Sequence, residues 1–588
     1  MSSAERRAPA TAGRRNAAAA AAARHTNRIA LLLSLAAGVL LWASFPPLNL
    51  WPLAWIAPVP WLCLARFPGR FTRRTYAWIY LGGFVHWLAM LEGIRLAHQW
   101  LILGWIALAW YLAFYTPLLV WLCRVAVQRL KVPLVVAAPV VWVGLELARG
   151  HFLTGFSGGL LSHTQVAWTS LLQISDMFGA YGVSFVLAIV AAALAQIVPA
   201  AWLGISDDRT RGWWLWPAIP AAACVAGALA YGNHRLHEAL PGSGQKPLRV
   251  ALIQGSLDTV FDVSEEEHRR RVAQTFRHYG ELTDKAVSNG GQLDLVVWPE
   301  SMFAFPELRA IEPAQLPEGV DIAPEVFREN VAQLRLAFLR QVTGWADRIN
   351  DSFQADADAR KRTYFLFGSN TFEYGPHKPK LYNSALLADP QGRIVDRYYK
   401  VHPVMFGEYI PFGEWFPWIY KLTPLPGGLD RGPGPTAMQV AGKRLSPCIC
   451  FENFVPHLVR SQVQELSRRG KPPDILVTVT NDGWFYGSSI LDLHFRCAVF
   501  RAIENRRPML IAANTGFSAH IDGSGRMLAV GSRRAPDVLI VNAELDNRVP
   551  LYHTIGDWPA IACAMVSGLL ALIGLWPIKG SGAAPRQE

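Results

Sequence analysis

Seven apolar runs, at 29–45, 76–97, 101–123, 133–148, 181–203, 213–232 and 556–577, are each long enough to cross about 30 Å of hydrocarbon and so constrain this chain more than any other feature. In hydrocarbon a backbone must satisfy its own hydrogen bonds, so such runs are helices. An eighth segment, 51–65 (WPLAWIAPVPWLCLA), is shorter and proline-rich, and on hydropathy alone it reads as re-entrant or spanning.

Charge in the connections decides between these readings, because short cytoplasmic loops concentrate Lys and Arg. If 51–65 spans, alternate loops carry Arg66, Arg70, Arg73 and Arg74, then Arg124, Arg129 and Lys131, then Arg209 and Arg211. The loops between them carry only Arg95 and Arg149. If 51–65 does not span, that alternation breaks, so the expectation is about eight spans with a basic N-terminus inside. Residue 233 then emerges on the outer side, and the last span returns the 578–588 tail, with Lys579 and Arg586, to the cytoplasm.

The formal charge of +12 does not point to nucleic acid, because much of it sits in an N-terminal tail bearing Arg6, Arg7, Arg14, Arg15, Arg24 and Arg28. Residues 1–28 are expected to form a disordered cytoplasmic tail. A cleaved signal peptide is the competing reading, but no small-x-small site follows Leu41 and another apolar segment starts almost at once.

From 245 to 547 the pattern changes. LRVALIQG (248–255), LDLVVWPE (293–300), TYFLFGSNT (363–371), LSPCICFE (445–452), DILVTVTND (474–482) and PMLIAANTG (508–516) read as strands buried on both faces. Charged segments near 264–289, 322–349, 455–469 and 490–505 read as covering helices, and 381–400 as a hairpin turning at Asp389 to Gly392. The fold class expected is a polytopic α-helical membrane domain (29–232 and 555–577) carrying an α/β domain.

Reactive groups in α/β sheets gather beyond the carboxyl ends of strands. Those ends carry Glu300, Cys450 with Glu452 behind it, and Asn481 with Asp482; Lys400 closes the hairpin and Glu408 follows it. Only seven cysteines occur, too few for a disulfide framework or a zinc array. Cys448 reads as strand packing and Trp298 as core, while His402 and His494 lack metal-ligand spacing.

VVWPES, YYK with FGEYIPFGE, and CFE resemble the Glu-Lys-Cys signature of the nitrilase, or carbon–nitrogen hydrolase, superfamily. With spans before and after, and with FPPLNLWPLAWIAPVPWL, ELARGHFLTGF, NDGWFYGSSILDLHFRCAVFRAIENRRPML and ANTGFSA, the chain is similar to the apolipoprotein N-acyltransferase family over nearly its whole length. The resemblance implies an αββα sandwich at 245–547 on the periplasmic side of the bacterial inner membrane. It also implies acyl transfer from a phospholipid, through a thioester, to the N-terminal amine of a diacylglyceryl-cysteine apolipoprotein. No cofactor or metal is implied. Tyr399, Met405 and Phe451 depart from the family's usual residues, at the rim and not among the three reacting groups.

The residue types suit that chemistry. A free thiol is only a few per cent thiolate at neutral pH and needs a base. Glu300, its pKa raised at an apolar strand end, would take the thiol proton and return it to a leaving alcohol. Lys400 and the backbone N–H after Cys450 are the expected oxyanion donors. Glu408 is expected to orient Lys400 or assist proton transfer, with Phe451 and Glu452 supporting. Trp484 and Phe485, in a glycine-flanked loop, are candidate lipid contacts. For Glu146 and Arg149, at the outer end of a span, a structural pair, a head-group contact and an interfacial position all stay open. The alternatives carried are a membrane-tethered amidase using the same triad and a non-enzymatic lipid or lipoprotein carrier whose triad is vestigial.

Overall fold

The computed structural model describes residues 8–205, 215–240, 244–260, 263–311, 322–351, 362–413, 415–422 and 427–577. The tail 578–588, Arg209 and Arg211 lie outside the described residues. The first helix runs Ala8–Ala43, so the tail expected to be disordered to residue 28 is helical from Ala8. The alanines at 17–23 explain this, because alanine has the highest helix propensity.

Among the described residues five helical stretches are long and apolar enough to cross a membrane: Ala23–Ala43, Leu101–Arg129, Leu134–His151, Ala180–Ile197 and Trp558–Leu575. Arg73–Met90 and Ala218–His237 are further helices of the same bundle. Trp51–Arg66 forms three short turns, Trp51–Trp55, Val59–Cys63 and Leu64–Arg66, because Pro52, Pro58 and Pro60 each remove a backbone donor.

Side-chain bonds sort the connections to two ends. At one end Arg124 donates to the carbonyls of Leu64 (3.0 Å) and Phe67 (2.7 Å), and Arg66 to that of Ala195 (2.7 Å). Arg129 there donates to the carbonyl of Ile573 (2.6 Å). At the other end Arg496 of the α/β domain reaches Asn49 Oδ1 (2.6 Å) and the carbonyl of His163 (3.1 Å). There, too, Arg548 donates to the carbonyl of Arg235 (2.7 Å) and Arg460 pairs with Asp557 (2.9 Å).

The α/β domain holds two sheets face to face. In the first, β1 (Leu248–Gln254), β2 (Leu295–Val297) and β4 (Tyr364–Tyr374) are parallel neighbours; β3 (Glu307–Ala310) also pairs with β4. The antiparallel hairpin β5 (Lys380–Ala388) and β6 (Ile394–Tyr399) extends that sheet. In the second, β7 (Met438–Val440), β8 (Lys443–Ile449), β9 (Ile475–Thr480), β10 (Met509–Ala513), β11 (Ala519–Ile521) and β12 (Met527–Val530) follow in order, with β8, β9 and β10 parallel. The last strand, β13 (Asp537–Ala543), crosses back to pair antiparallel with β1.

Alternation along the strands builds the layers. Val250, Leu252, Val297, Leu366, Ile449, Val477, Val479 and Leu510 meet between the sheets. Ala251, Ile253, Val296, Trp298 and Phe365 face the helices Glu265–Gly290 and Pro324–Asp351. On the outer face of the second sheet, Cys448, Leu476, Met509 and Ile511 share one core with the helix Ile490–Asn505 and the membrane bundle. Buried polar bonds cross this junction: Arg506 to Asp176 (2.8 Å), Gln173 to the carbonyl of Ser524 (2.8 Å), and the N–H of Ala180 to Glu504 (2.9 Å). Leaving one partner of a buried charge pair unpaired is costly, so these bonds fix how the sheets sit on the bundle.

Candidate active site

The parallel strands β2, β8, β9 and β10 end on one edge of the sandwich, and β6, twice reversed from β4, ends there too. That common edge is where Glu300, Lys400, Cys450 and Asn481 come together. Glu300 stands three residues past β2, 5% exposed, with its backbone pressed on β4. Only glycine allows that approach: a Cβ on Gly368 would lie 2.4 Å from Glu300 Cα.

Glu300 Oε1 accepts from Asn383 Nδ2 (2.7 Å) and faces Lys400 Nζ (3.5 Å), while Oε2 accepts from the N–H of Asn481 (2.8 Å). Lys400, 1% exposed, donates more closely to Glu408 Oε1 (2.8 Å). Glu408 Oε1 also accepts from Asn383 Nδ2 (2.9 Å), and its Oε2 from the N–H of Val404 (2.8 Å). One amide therefore joins two carboxylates around one ammonium.

This cluster sets the electrostatics. Burial raises the Glu300 pKa above the ordinary carboxylate value; Lys400 opposes the rise and Glu408 adds to it. Burial alone would lower the Lys400 pKa, but Glu408 and Glu300 outweigh it and hold the ammonium charged. For Cys450 burial pushes the thiol well up, Glu300 pushes it further, and Lys400 pulls against both. The sulfur is thus kept protonated beside a carboxylate whose own affinity for a proton is raised, the arrangement that in-step proton transfer requires.

Cys450 follows the last residue of β8 with φ of +51°, a left-handed conformation that side chains rarely adopt. The turn breaks the strand's alternation. Cys448 faces outward, its sulfur 3.3 Å from Gln462 Oε1, whereas Cys450 packs on the inter-sheet side with Ile449 and Val401. Two sulfurs that would share a face on a continuing strand are thereby separated. Phe451 stacks on Phe454, with ring centroids 5.0 Å apart.

Glu452 is fully buried, and its carboxylate accepts from the N–H groups of Ile449 (2.7 Å), Val401 (2.8 Å) and His402 (3.1 Å) and from the Tyr398 hydroxyl (2.9 Å). Burial raises its pKa to about 7 against the pull of those donors. It ties the Cys450 turn to the chain just past Lys400.

The expected lipid contacts sit further off. Arg149 is buried over the Trp87 ring (4.9 Å) and donates to the carbonyl of Gly159 (3.3 Å). From Trp87 a row of rings runs through Phe156 (6.1 Å) and Phe454 (6.5 Å) to Phe451. Trp484 and Phe485 are half-buried in the turn Asp482–Phe485, which packs against Glu92–Leu96 of the bundle.

Sequence reasoning missed Asn383, Tyr398 and the pairing of His494 with Asp482. Asn383 is an amide inside the apolar strand Lys380–Ala388, and its role shows only once that strand lies beside Glu300. His494 spends its ring nitrogens on Asp482 Oδ1 (3.0 Å) and the carbonyl of Cys450 (2.9 Å). Among the described residues no group of three His, Cys, Asp or Glu side chains is disposed to hold a metal ion.

Comparison with known proteins agrees with this architecture. The family model for the apolipoprotein N-acyltransferase N-terminal domain matches residues 37–193, and that for carbon-nitrogen hydrolases matches 249–550. The chain is 32% identical to the apolipoprotein N-acyltransferase of Rhodopirellula baltica, over 93% of this chain and 97% of that one. It is 31% identical to that of Geobacter metallireducens, over 92% and 95%. Among solved structures an amidase from Nesterenkonia sp. aligns at 16% identity and a TM-score of 0.33, covering 54% of this chain and 97% of that one. The chain belongs to the apolipoprotein N-acyltransferase family, enzymes built on a carbon–nitrogen hydrolase domain joined to apolar helices.

Proposed function

We propose that this chain moves a fatty acyl group from a phospholipid to the N-terminal amine of a diacylglyceryl-cysteine apolipoprotein through a thioester on Cys450. The observation that carries the reading is Cys450 at a left-handed turn on the edge where Glu300 and Lys400 meet. Glu300 takes the thiol proton as sulfur attacks the donor ester carbonyl. Lys400 and the N–H of Phe451 stabilise the oxyanion, each such donor contributing on the order of 3 kcal/mol. Collapse passes the proton from Glu300 to the departing lysophospholipid oxygen. The acceptor amine then attacks the thioester, gives its proton to Glu300, and the sulfur leaves with a proton as the amide forms.

Glu408 fixes Lys400, and Glu452 fixes both neighbouring chain segments. Both substrates are lipids, which gives the fused helical bundle its purpose and calls for exclusion of water from the thioester. The row of rings from Phe451 to Arg149 supports these residues, with Trp484 and Phe485, as the lipid-facing side of the site.

The proposed topology is eight crossings with 245–547 on the outer, periplasmic side of the inner membrane. Its support is the sorting of connections: 64–69, 124–129, 195–198 and 573–576 meet at the end away from the sheets, where Arg66, Arg70, Arg73, Arg74, Arg124, Arg129 and Lys131 gather. The short turns of 51–66 run between the two ends.

The decisive experiment is intact mass of the purified chain after incubation with phospholipid alone. An added acyl mass on wild type and none on Cys450→Ala is expected. An amidase would show no lasting adduct, and a Cys450→Ala variant that still N-acylates a lipoprotein would sink the proposal.

A further inference from the structure

Cys450 does not hold its left-handed conformation unaided. Its carbonyl lies 2.9 Å from His494 Nε2, and His494 Nδ1 lies 3.0 Å from Asp482 Oδ1. Carbonyl and carboxylate are both acceptors, so the ring must donate from both nitrogens, as an imidazolium does. His494 and Asp482 are 5% and 3% exposed, and the Phe454 ring stacks on the imidazole at 5.1 Å and 14°. Burial alone would lower the His494 pKa, but Asp482 outweighs it and raises it.

In a trans peptide the C=O and the following N–H point in opposite directions. A donor that grips the Cys450 carbonyl from one side therefore aims the Phe451 N–H at the other. That N–H is the second of the helical turn Cys450–Phe454, one of the leading N–H groups that have no partner inside the turn, and among the described residues it has none outside. It is free to meet an oxyanion.

We infer that His494, gripped by Asp482, is a positioning residue that locks the Cys450–Phe451 peptide so that the Phe451 N–H serves as an oxyanion donor. The inference rests on acyl transfer through Cys450 and adds a part to it. His494 touches neither substrate nor sulfur in this role; it acts through the peptide plane.

Two reactions of the same sulfur separate this role from a general structural one. Alkylation by iodoacetamide displaces iodide at a saturated carbon and forms no oxyanion, whereas thioester formation from phospholipid does. In the detergent-solubilised full chain, His494→Ala should slow thioester formation on the order of 10²-fold. Cys450 alkylation should stay within about threefold of wild type, because the base, Glu300, is untouched. His494→Gln, whose amide can still donate to the carbonyl, should recover part of the loss. Asp482→Ala, which leaves the imidazole untethered, should repeat the split and keeps the test open if His494→Ala fails to accumulate. Equal loss in both reactions, or loss in neither, overturns the inference. A wild-type chain that is alkylated at Cys450 yet forms no thioester overturns the acyl-transfer reading instead.

Discussion

The carboxylate of Glu452 accepts the backbone N–H of Val401 at 2.8 Å, so a residue two positions past Cys450 holds the chain one position past Lys400. The same carboxylate holds the N–H of Ile449, and so grips both sides of the edge. Glutamine has one acceptor oxygen where glutamate has two, so its NH2 would face a backbone N–H. Glu452→Gln should lower thioester formation roughly tenfold to a hundredfold, about 1–3 kcal/mol at the barrier.

The same group makes a stability prediction. The folded pKa of Glu452 is about 7 against an ordinary 4.5, so its contribution is fully present below pH 4.5 and is lost as pH rises through 7. The slope approaches about 1.4 kcal/mol per pH unit inside that window. Thermal unfolding of wild type and Glu452→Gln in detergent should give a gap in Tm that narrows between pH 5 and pH 7.5. A gap independent of pH would mean that Glu452 keeps an ordinary pKa.

Much of this was legible in the residues. The six apolar strands, the four covering helices and the turn near Asp389 fall within a few residues of their places, because strands buried on both faces and charged helical stretches alternate cleanly here. The short strands β3, β7, β11 and β12 and the returning, half-exposed β13 were not legible, because three or four residues carry little pattern and their pairing is set by distant partners. Glu300, Lys400, Cys450 and Glu452 could be read because each sits at or just past a strand end, and Glu408 because FGEYIPFGE follows Lys400 as in the family signature. Asn383 and His494 could not, since an amide in mid-strand and a histidine in mid-helix acquire meaning only once β5 lies beside Glu300 and Ile490–Asn505 lies behind Cys450.

Glu300 should impose a pH limb on the first half-reaction. Burial and Glu408 raise its pKa above 4.5, and only the carboxylate form can accept the thiol proton. The rate of thioester formation in single turnover should therefore fall as pH drops through that raised value, at a pH above 4.5. Glu300→Gln should cost roughly 10²–10⁴-fold and abolish the limb. An unchanged limb in Glu300→Gln would assign the base elsewhere.

The two sulfurs of residues 448 and 450 should part company. Cys448 packs outward against Gln462 in the core shared with the bundle, so Cys448→Ala should cost about 1 kcal/mol of stability and leave transfer near wild type. Cys450→Ala should abolish both the thioester and N-acylation of a reporter lipoprotein, judged by the mass of its N-terminal peptide, without lowering Tm comparably. Loss of transfer in Cys448→Ala at unchanged Tm would contradict the separation seen at the Cys450 turn.

The segment after Lys400 presents Phe406, Phe412, Trp415 and Trp418 at 60%, 64%, 74% and 59% exposure, while Glu408 at its base anchors Lys400. A soluble surface rarely gathers so much exposed aromatic area, and a partner that removes it from water must itself be apolar. With both proposed substrates lipids, the expected partner is an acyl chain or the bilayer surface. Replacing Trp415 and Trp418 by Ser should therefore raise the apparent KM for phospholipid in vesicles several-fold. Thioester formation from a short soluble ester should stay near wild type, because the bonds from Glu408 to Lys400 and Asn383 do not depend on either tryptophan. Equal effects on the vesicle and soluble donors would show instead that the aromatics shape the reacting groups themselves.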